Sequence, residues 1–349
     1  MRKARVLFIS SEIYPYLEMN EQSKIARFLP QGIQDRGKEI RTFMPRFGCI
    51  NERRNQLHEV IRLSGMNLII DALEGHGEVI SSQLEFPVST IPWMHRRIPV
   101  HPVKSIAGEI PLESIREAMN VRTGVISLSY VQFSNGFRLD LESLGNIKGR
   151  HAFVVNASQA AGVFGIDVKQ MKIDALCATG HKWMRSGYGA GFVYLSRELQ
   201  SRSHSRTIGW LSVQEPYAMR NDEIHLRHDV SARAEPGCPH FAGIFALGAS
   251  VQMMRDIGLT NIQDRVLQLN RQLTDQLGEV GWKVLSPVAK DASRSAETLV
   301  KADSPSQLVA QLSAQKIIVT EKPEGIRVAT DFFNDEDDID RLVAALRKS

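Results

Sequence analysis

The chain has 349 residues, 43% apolar and 23% charged, with a formal net charge of +4. That is room for two domains, or for one large α/β domain with an appendage. Acidic and basic residues are interspersed, which gives no electrostatic case for nucleic acid or a membrane surface. Cys49, Cys177 and Cys238 are the three cysteines, too few and too scattered for a disulfide framework or a four-cysteine site, so no metal is expected. No apolar run reaches bilayer-crossing length. The short run at residues 6–9, with Glu12 close behind, is not a signal segment, and the expected location is cytoplasmic.

In chain order, residues 5–10 read as a buried strand. Residues 21–36 carry Ile25, Phe28, Leu29 and Ile33 at helical spacing and end at Gly37, and residues 39–44 form a second strand that stops at Pro45. This strand–helix–strand unit is half of a nucleotide-binding type of α/β domain. From about Glu78, strand candidates follow at 78–81, 124–128, 152–155, 174–178 and 192–195, with helical patterns such as 139–147 between some of them. Alternation of this kind predicts a mainly parallel sheet covered by helices. Beyond about residue 255 come a helix at 261–277, a strand at 282–285 and a helix at 306–314. Strands at 316–320 and 326–329 and a capped helix from about Asn334 complete a small α+β C-terminal domain. The expected organisation is 1–71, 72–255 and 256–349.

Three strand ends in the middle region carry polar residues rather than turn filler. They are Gln132-Phe133-Ser134-Asn135-Gly136, Asn156-Ala157-Ser158-Gln159 and Thr179-Gly180-His181-Lys182. In a parallel sheet all three fall on one edge, where open α/β sheets place their ligands. Lys182 is the candidate nucleophile, because a partly desolvated amine loses its proton more readily and can form a Schiff base with a carbonyl. Each residue also has a plainer reading. Lys182 could be a solvated surface residue, His181 could bond a backbone carbonyl, and Gln159 could lie on a helix surface. Arg327 could make an ordinary salt bridge, and Trp183 could simply pack. Cys177, inside a strand, reads as a buried, unreactive thiol.

Residues 1–71 resemble the start of a bacterial glycogen (starch) synthase. The resemblance rests on residues 6–11 with Glu12-Ile13-Tyr14-Pro15-Tyr16, on Phe43-Met44-Pro45-Arg46-Phe47-Gly48-Cys49-Ile50, and on residues 53–60. Where that family carries a sugar-nucleotide loop this chain has Glu18-Met19-Asn20-Glu21, and the family's second nucleotide domain has no counterpart downstream. The change of character near Asp71 suggests a fusion of two unrelated fragments.

From about residue 74 to 349 the chain is similar to the class V, fold-type I pyridoxal-phosphate enzymes, which include cysteine desulfurases and isopenicillin-epimerase-like aminotransferases. The carrying text is Gly77-Glu78-Val79-Ile80, Glu85-Phe86-Pro87, residues 131–136, residues 155–159, Gly165-Ile166-Asp167-Val168, residues 179–183, Gly209-Trp210, residues 325–329 and Phe333-Asn334. The resemblance implies the fold-type I large domain, lacking its usual N-terminal part, and a homodimer acting on a small-molecule amino-acid substrate. It implies that Lys182 holds pyridoxal 5'-phosphate, that Thr179 and His181 donate to its phosphate, and that Gln159 bonds its ring hydroxyl. Arg327 would take the substrate carboxylate as a bidentate pair, with Asn135 on the substrate side. Asn156 stands where the family has an aspartate on the pyridine nitrogen, and Cys238 where a partner subunit lends a threonine. The family's other phosphate-binding loop and its ring-stacking side chain are expected to be absent with the segment before residue 74. The leading expectation is a pyridoxal-phosphate enzyme. A non-catalytic fusion that keeps the fold comes second, and a glycosyltransferase fragment third.

Overall fold

The computed structural model describes residues 5–9, 13, 21–36, 39–43, 77–203, 208–229 and 235–347. The chain divides into two compact units, Met1–Arg62 and Leu63–Ser349. The Glu18-Met19-Asn20 replacement, most of the starch-synthase-like text after Phe43 and the junction near Asp71 lie outside the described residues.

In the first unit β1 (Arg5–Ile9) and β2 (Glu39–Phe43) pair in parallel, Arg5 opposite Glu39, and α1 (Glu21–Asp35) connects them. The buried positions of α1 are Ser23, Ala26 and Pro30, whereas Ile25, Phe28 and Leu29 are exposed. The apolar spacing therefore locates the helix but not its buried face, which small side chains form.

The second unit is built on a six-stranded sheet in the order β4 (Val100–Val103), β3 (Glu78–Ser82), β5 (Thr123–Ser129), β6 (Ala152–Asn156), β7 (Ala175–Thr179) and β8 (Gly191–Leu195). Every pairing is parallel except β7 with β8. Parallel strands are buried on both faces and read as continuous apolar runs. In β6, Phe153 and Val155 join one core cluster, with Ile126 and Leu176, while Ala152 and Val154 join the other, with Trp93 and Cys177. β4 was not expected from the sequence because it contains Pro102, which an edge strand tolerates. Helices α2 (Ile91–His95), α3 (Leu112–Ala118), α4 (Leu141–Ile147) and α5 (Arg197–Arg202) connect or follow these strands. Asp140 caps α4 by accepting from the Ser143 N–H.

After α6 (Phe241–Ile257) and α7 (Leu259–Glu279) comes a small antiparallel sheet in the order β10 (Thr320–Lys322), β11 (Gly325–Ala329), β9 (Glu297–Lys301). With α8 (Pro305–Ala314) and α9 (Glu336–Leu346) it encloses a second core. Residues 282–285 do not form the expected strand. They make one bridge, Val284 with Val300, along the outer edge of β9, and the strand expected at 316–320 begins only at Thr320. The two sheets meet where the loop after β5 touches β9. There Gly136, at φ +75°, brings its backbone so close that a Cβ would lie 2.3 Å from the Glu297 carbonyl oxygen.

Candidate functional site

The carboxyl ends of β5, β6 and β7 lie on the same edge of the parallel sheet, so the three polar clusters share that edge. Asn156 ends β6 and pairs in register with Cys177 of β7, two residues before Thr179. Its amide nitrogen donates to the Ser89 hydroxyl at 3.2 Å and its oxygen accepts from the Ser158 N–H at 3.0 Å. Gln159 accepts from the Trp183 indole N–H at 3.2 Å, which ties the β6 loop to the Lys182 loop. The Gln159 amide nitrogen, the Thr179 hydroxyl and the Ser186 hydroxyl are buried without a hydrogen-bond partner. His181 stacks on Tyr188 with ring centres 4.5 Å apart.

Lys182 is half-buried, and its Nζ lies 5.9 Å from the Phe86 ring centre. Burial pulls its amine below the ordinary lysine value; nearby Glu297 opposes that shift and Arg327 adds to it. Phe86 meets Phe133 edge to face at 4.9 Å. It lies on the described side of residue 77, so an aromatic side chain is present beside the lysine although the segment before residue 74 was expected to take the stacking group with it.

The small sheet brings the other half of the site. Arg327 reaches the Phe133 carbonyl at 3.3 Å and pairs with Glu297 at 3.2 Å. The Lys322 ammonium sits 3.1 Å from the Phe133 ring centre. Burial pushes Glu297 up to about 7 against the pull of Arg327, Lys182 and Lys322, and burial, followed by Arg327, brings Lys322 down to about 8. Asn135 is buried, with its amide committed to the Gly108 carbonyl at 2.7 Å and its oxygen to the Phe137 N–H at 3.0 Å. It therefore holds the loop that presents Phe133 rather than offering a free amide. Sequence reasoning missed Phe86, Lys322 and Glu297, although a glutamate among apolar neighbours in Ala296-Glu297-Thr298-Leu299 was a readable sign of a buried charge. A second buried carboxylate, Glu85, accepts from the Ser129 N–H at 2.6 Å and from the Gln132 amide at 2.8 Å. Burial raises its pKa.

The arrangement offers an amine whose pKa burial lowers, buried donors without protein partners, an aromatic face and a guanidinium. These fit a phosphorylated aromatic aldehyde and a carboxylate. Cys177 lies buried in β7, and burial pushes its thiol up to about 12, whereas Cys238 is exposed.

Comparisons with known proteins identify the family and the fold. Residues 61–342 match the family model "Aminotransferase class-V", and residues 5–96 match "Starch synthase catalytic domain". The uncharacterized aminotransferase YcbU of Bacillus subtilis is 24% identical over 268 residues, covering 76% of this chain and 70% of that protein. A probable cysteine desulfurase of Borreliella burgdorferi is 26% identical over 299 residues, covering 78% and 69%. The cystine C-S lyase C-DES, solved with its product cysteine persulfide, superposes with a TM-score of 0.72 at 20% identity, covering 81% of this chain and 79% of that one. A lysine-to-alanine variant of C-DES was solved with glycine covalently linked to pyridoxal phosphate. With its family model matched over residues 61–342, this chain belongs to the class V aminotransferases, a pyridoxal-phosphate-dependent family with the fold-type I architecture, and carries a starch-synthase-like segment at its N-terminus.

Proposed function

We propose that this chain binds pyridoxal phosphate at Lys182 and acts on an amino acid. The observation that carries this reading is the meeting of a half-buried, easily deprotonated lysine with buried donors that lack protein partners, the Gln159 amide, the Thr179 hydroxyl and the Ser186 hydroxyl, along the β6–β7 edge. When bound, the cofactor supplies an electron sink for the substrate's α-carbon. Thr179 and His181 would hold its phosphate, Gln159 its ring hydroxyl and Asn156 its ring nitrogen. Phe86 would offer the aromatic face. Arg327 would take the substrate carboxylate, and Asn135 would act through the loop it secures. After deprotonation Lys182 can carry a proton to or from the α-carbon. The protein would work in the cytoplasm as a homodimer.

A second reading, a non-catalytic protein that keeps the fold but binds the cofactor weakly or not at all, draws on Asn156, which brings no charge to the ring nitrogen. Cofactor titration separates the two. The leading reading expects a visible absorbance band, lost on borohydride reduction, with label mapped to Lys182 and absent in Lys182→Ala. Label on another lysine, or unchanged labelling in Lys182→Ala, would reject it.

A further inference from the structure

Antiparallel register places Arg327 opposite Leu299 and Glu297 opposite Ala329, so Glu297 and Arg327 point to the same face of the small sheet. Glu297 is 2% exposed. One of its oxygens meets the Arg327 guanidinium at 3.2 Å, and the other is buried with no hydrogen-bond partner. The charged groups that face it are Arg327 from β11, Lys322 from β10 and Lys182 from the loop after β7. A carboxylate of the protein thus already sits on the guanidinium assigned above to the substrate carboxylate.

Two carboxylates on one buried guanidinium repel each other, and one of them gives up its charge more readily than both remain ionised. We propose that Glu297 controls access to Arg327: it occupies the guanidinium while no ligand is bound, and an incoming carboxylate takes that place as Glu297 takes up one proton from solvent. This inference rests on the reading of Arg327 given above. The exchange is balanced, since the ligand arrives as an anion, Glu297 becomes a neutral acid, and the charge of the cluster is unchanged. Burial already holds Glu297 near neutrality, at about 7, and it loses its nearest cation when the ligand binds. Lys322 does not replace that cation as an ion-pair partner, because its ammonium rests on the Phe133 ring. The site accordingly prefers a carboxylate ligand at or below neutral pH, with affinity falling about tenfold per pH unit above that range.

The test uses the full chain and propionate, a carboxylate without an amine to react at Lys182. Calorimetric titrations in two buffers of different ionisation heat give the number of protons taken up on binding. At pH 8 we expect about one proton more per propionate for the wild-type protein than for Glu297→Gln, in which only Lys322 still titrates near that pH. Between pH 7 and pH 9 Glu297→Gln should lose much less propionate affinity than the wild type, the remaining fall coming from Lys322, which titrates at about 8. Wild-type binding without proton uptake overturns the proposal, and that measurement requires no variant to fold. Arg327→Met separates the two readings. If propionate binding is lost there while wild-type uptake is absent, Arg327 stands and Glu297 fails. If Arg327→Met binds propionate as the wild type does, the reading of Arg327 fails, and the proposal with it.

Discussion

Asn156 donates to the Ser89 hydroxyl, and that hydroxyl in turn donates to the buried carboxylate of Glu85. Ser89 therefore has only its lone pairs to offer Asn156, which fixes the amide with its nitrogen toward Ser89 and its oxygen toward the Ser158 N–H. The nearest negative charge on this path belongs to Glu85, one hydroxyl away from the position where an aspartate would sit.

Asn156→Asp should raise the rate of α-proton exchange in the cofactor-loaded protein. A charge-assisted bond contributing about 1.5–3 kcal/mol corresponds to roughly ten- to a hundredfold in rate. Substrate affinity should change little. Exchange followed by deuterium incorporation checks this, and equal rates in the two proteins would remove Asn156 from beneath the cofactor ring.

Glu297 gives folding stability an unusual pH dependence. A carboxylate whose folded-state pKa is raised holds its proton more tightly in the native protein, so its contribution declines as pH rises from about 4.5 to about 7. The decline is on the order of 3 kcal/mol. Lys322 acts in the other direction: its folded value of about 8 lies below the ordinary 10.5, so stability recovers as pH rises across that interval. Urea denaturation at a series of pH values should find a minimum between pH 7 and 8. Glu297→Gln should flatten the acid limb and leave the alkaline limb in place.

Gly136→Ala should destabilise the protein by about 1–3 kcal/mol, because φ +75° is unfavourable for alanine. The added carbon would also press on the Glu297 carbonyl. Propionate binding should therefore weaken along with thermal stability. A normal melting temperature and unaltered binding would mean that the loop after β5 adjusts freely.

Sulfur transfer through a protein thiol is not expected. Residues 290–326 contain no cysteine, and the Cys177 thiol is buried and pushed up to about 12. Any sulfide released from cysteine should persist in Cys238→Ser. Its disappearance there would give the exposed thiol of Cys238 a role.

The N-terminal unit should not transfer glucose. Its described residues form two parallel strands joined by one helix, the pattern of half a nucleotide-binding domain. Incorporation of label from a sugar nucleotide into glucan is the direct assay, and measurable incorporation would reverse this expectation.

The parallel strands were legible because β5, β6 and β7 are buried on both faces and lack the alternation of half-exposed strands. Lys182 and the polar ends of β6 and β7 could be read for the same reason, since chain order and parallel pairing suffice to bring them to one edge. Glu297 and Lys322 were not legible as site residues. They reach Phe133 and Lys182 only through the docking of a second sheet, which no local pattern encodes. Residues 282–285 misled because their apolar run has the composition of a strand yet makes a single bridge at the border of β9. The buried face of α1 was hidden because Ser23, Ala26 and Pro30 carry no apolar periodicity.

Helix α7 enters both cores: Ile262, Val266 and Leu267 pack with the parallel sheet, and Leu269, Leu273 and Leu277 with the antiparallel one. A cut just ahead of this helix would strip the larger sheet of part of its cover and leave the severed piece with a bare, sticky stripe. The last ninety or so residues, despite having a sheet of their own, should therefore melt together with the parallel sheet in one cooperative transition and resist isolation as a soluble fragment.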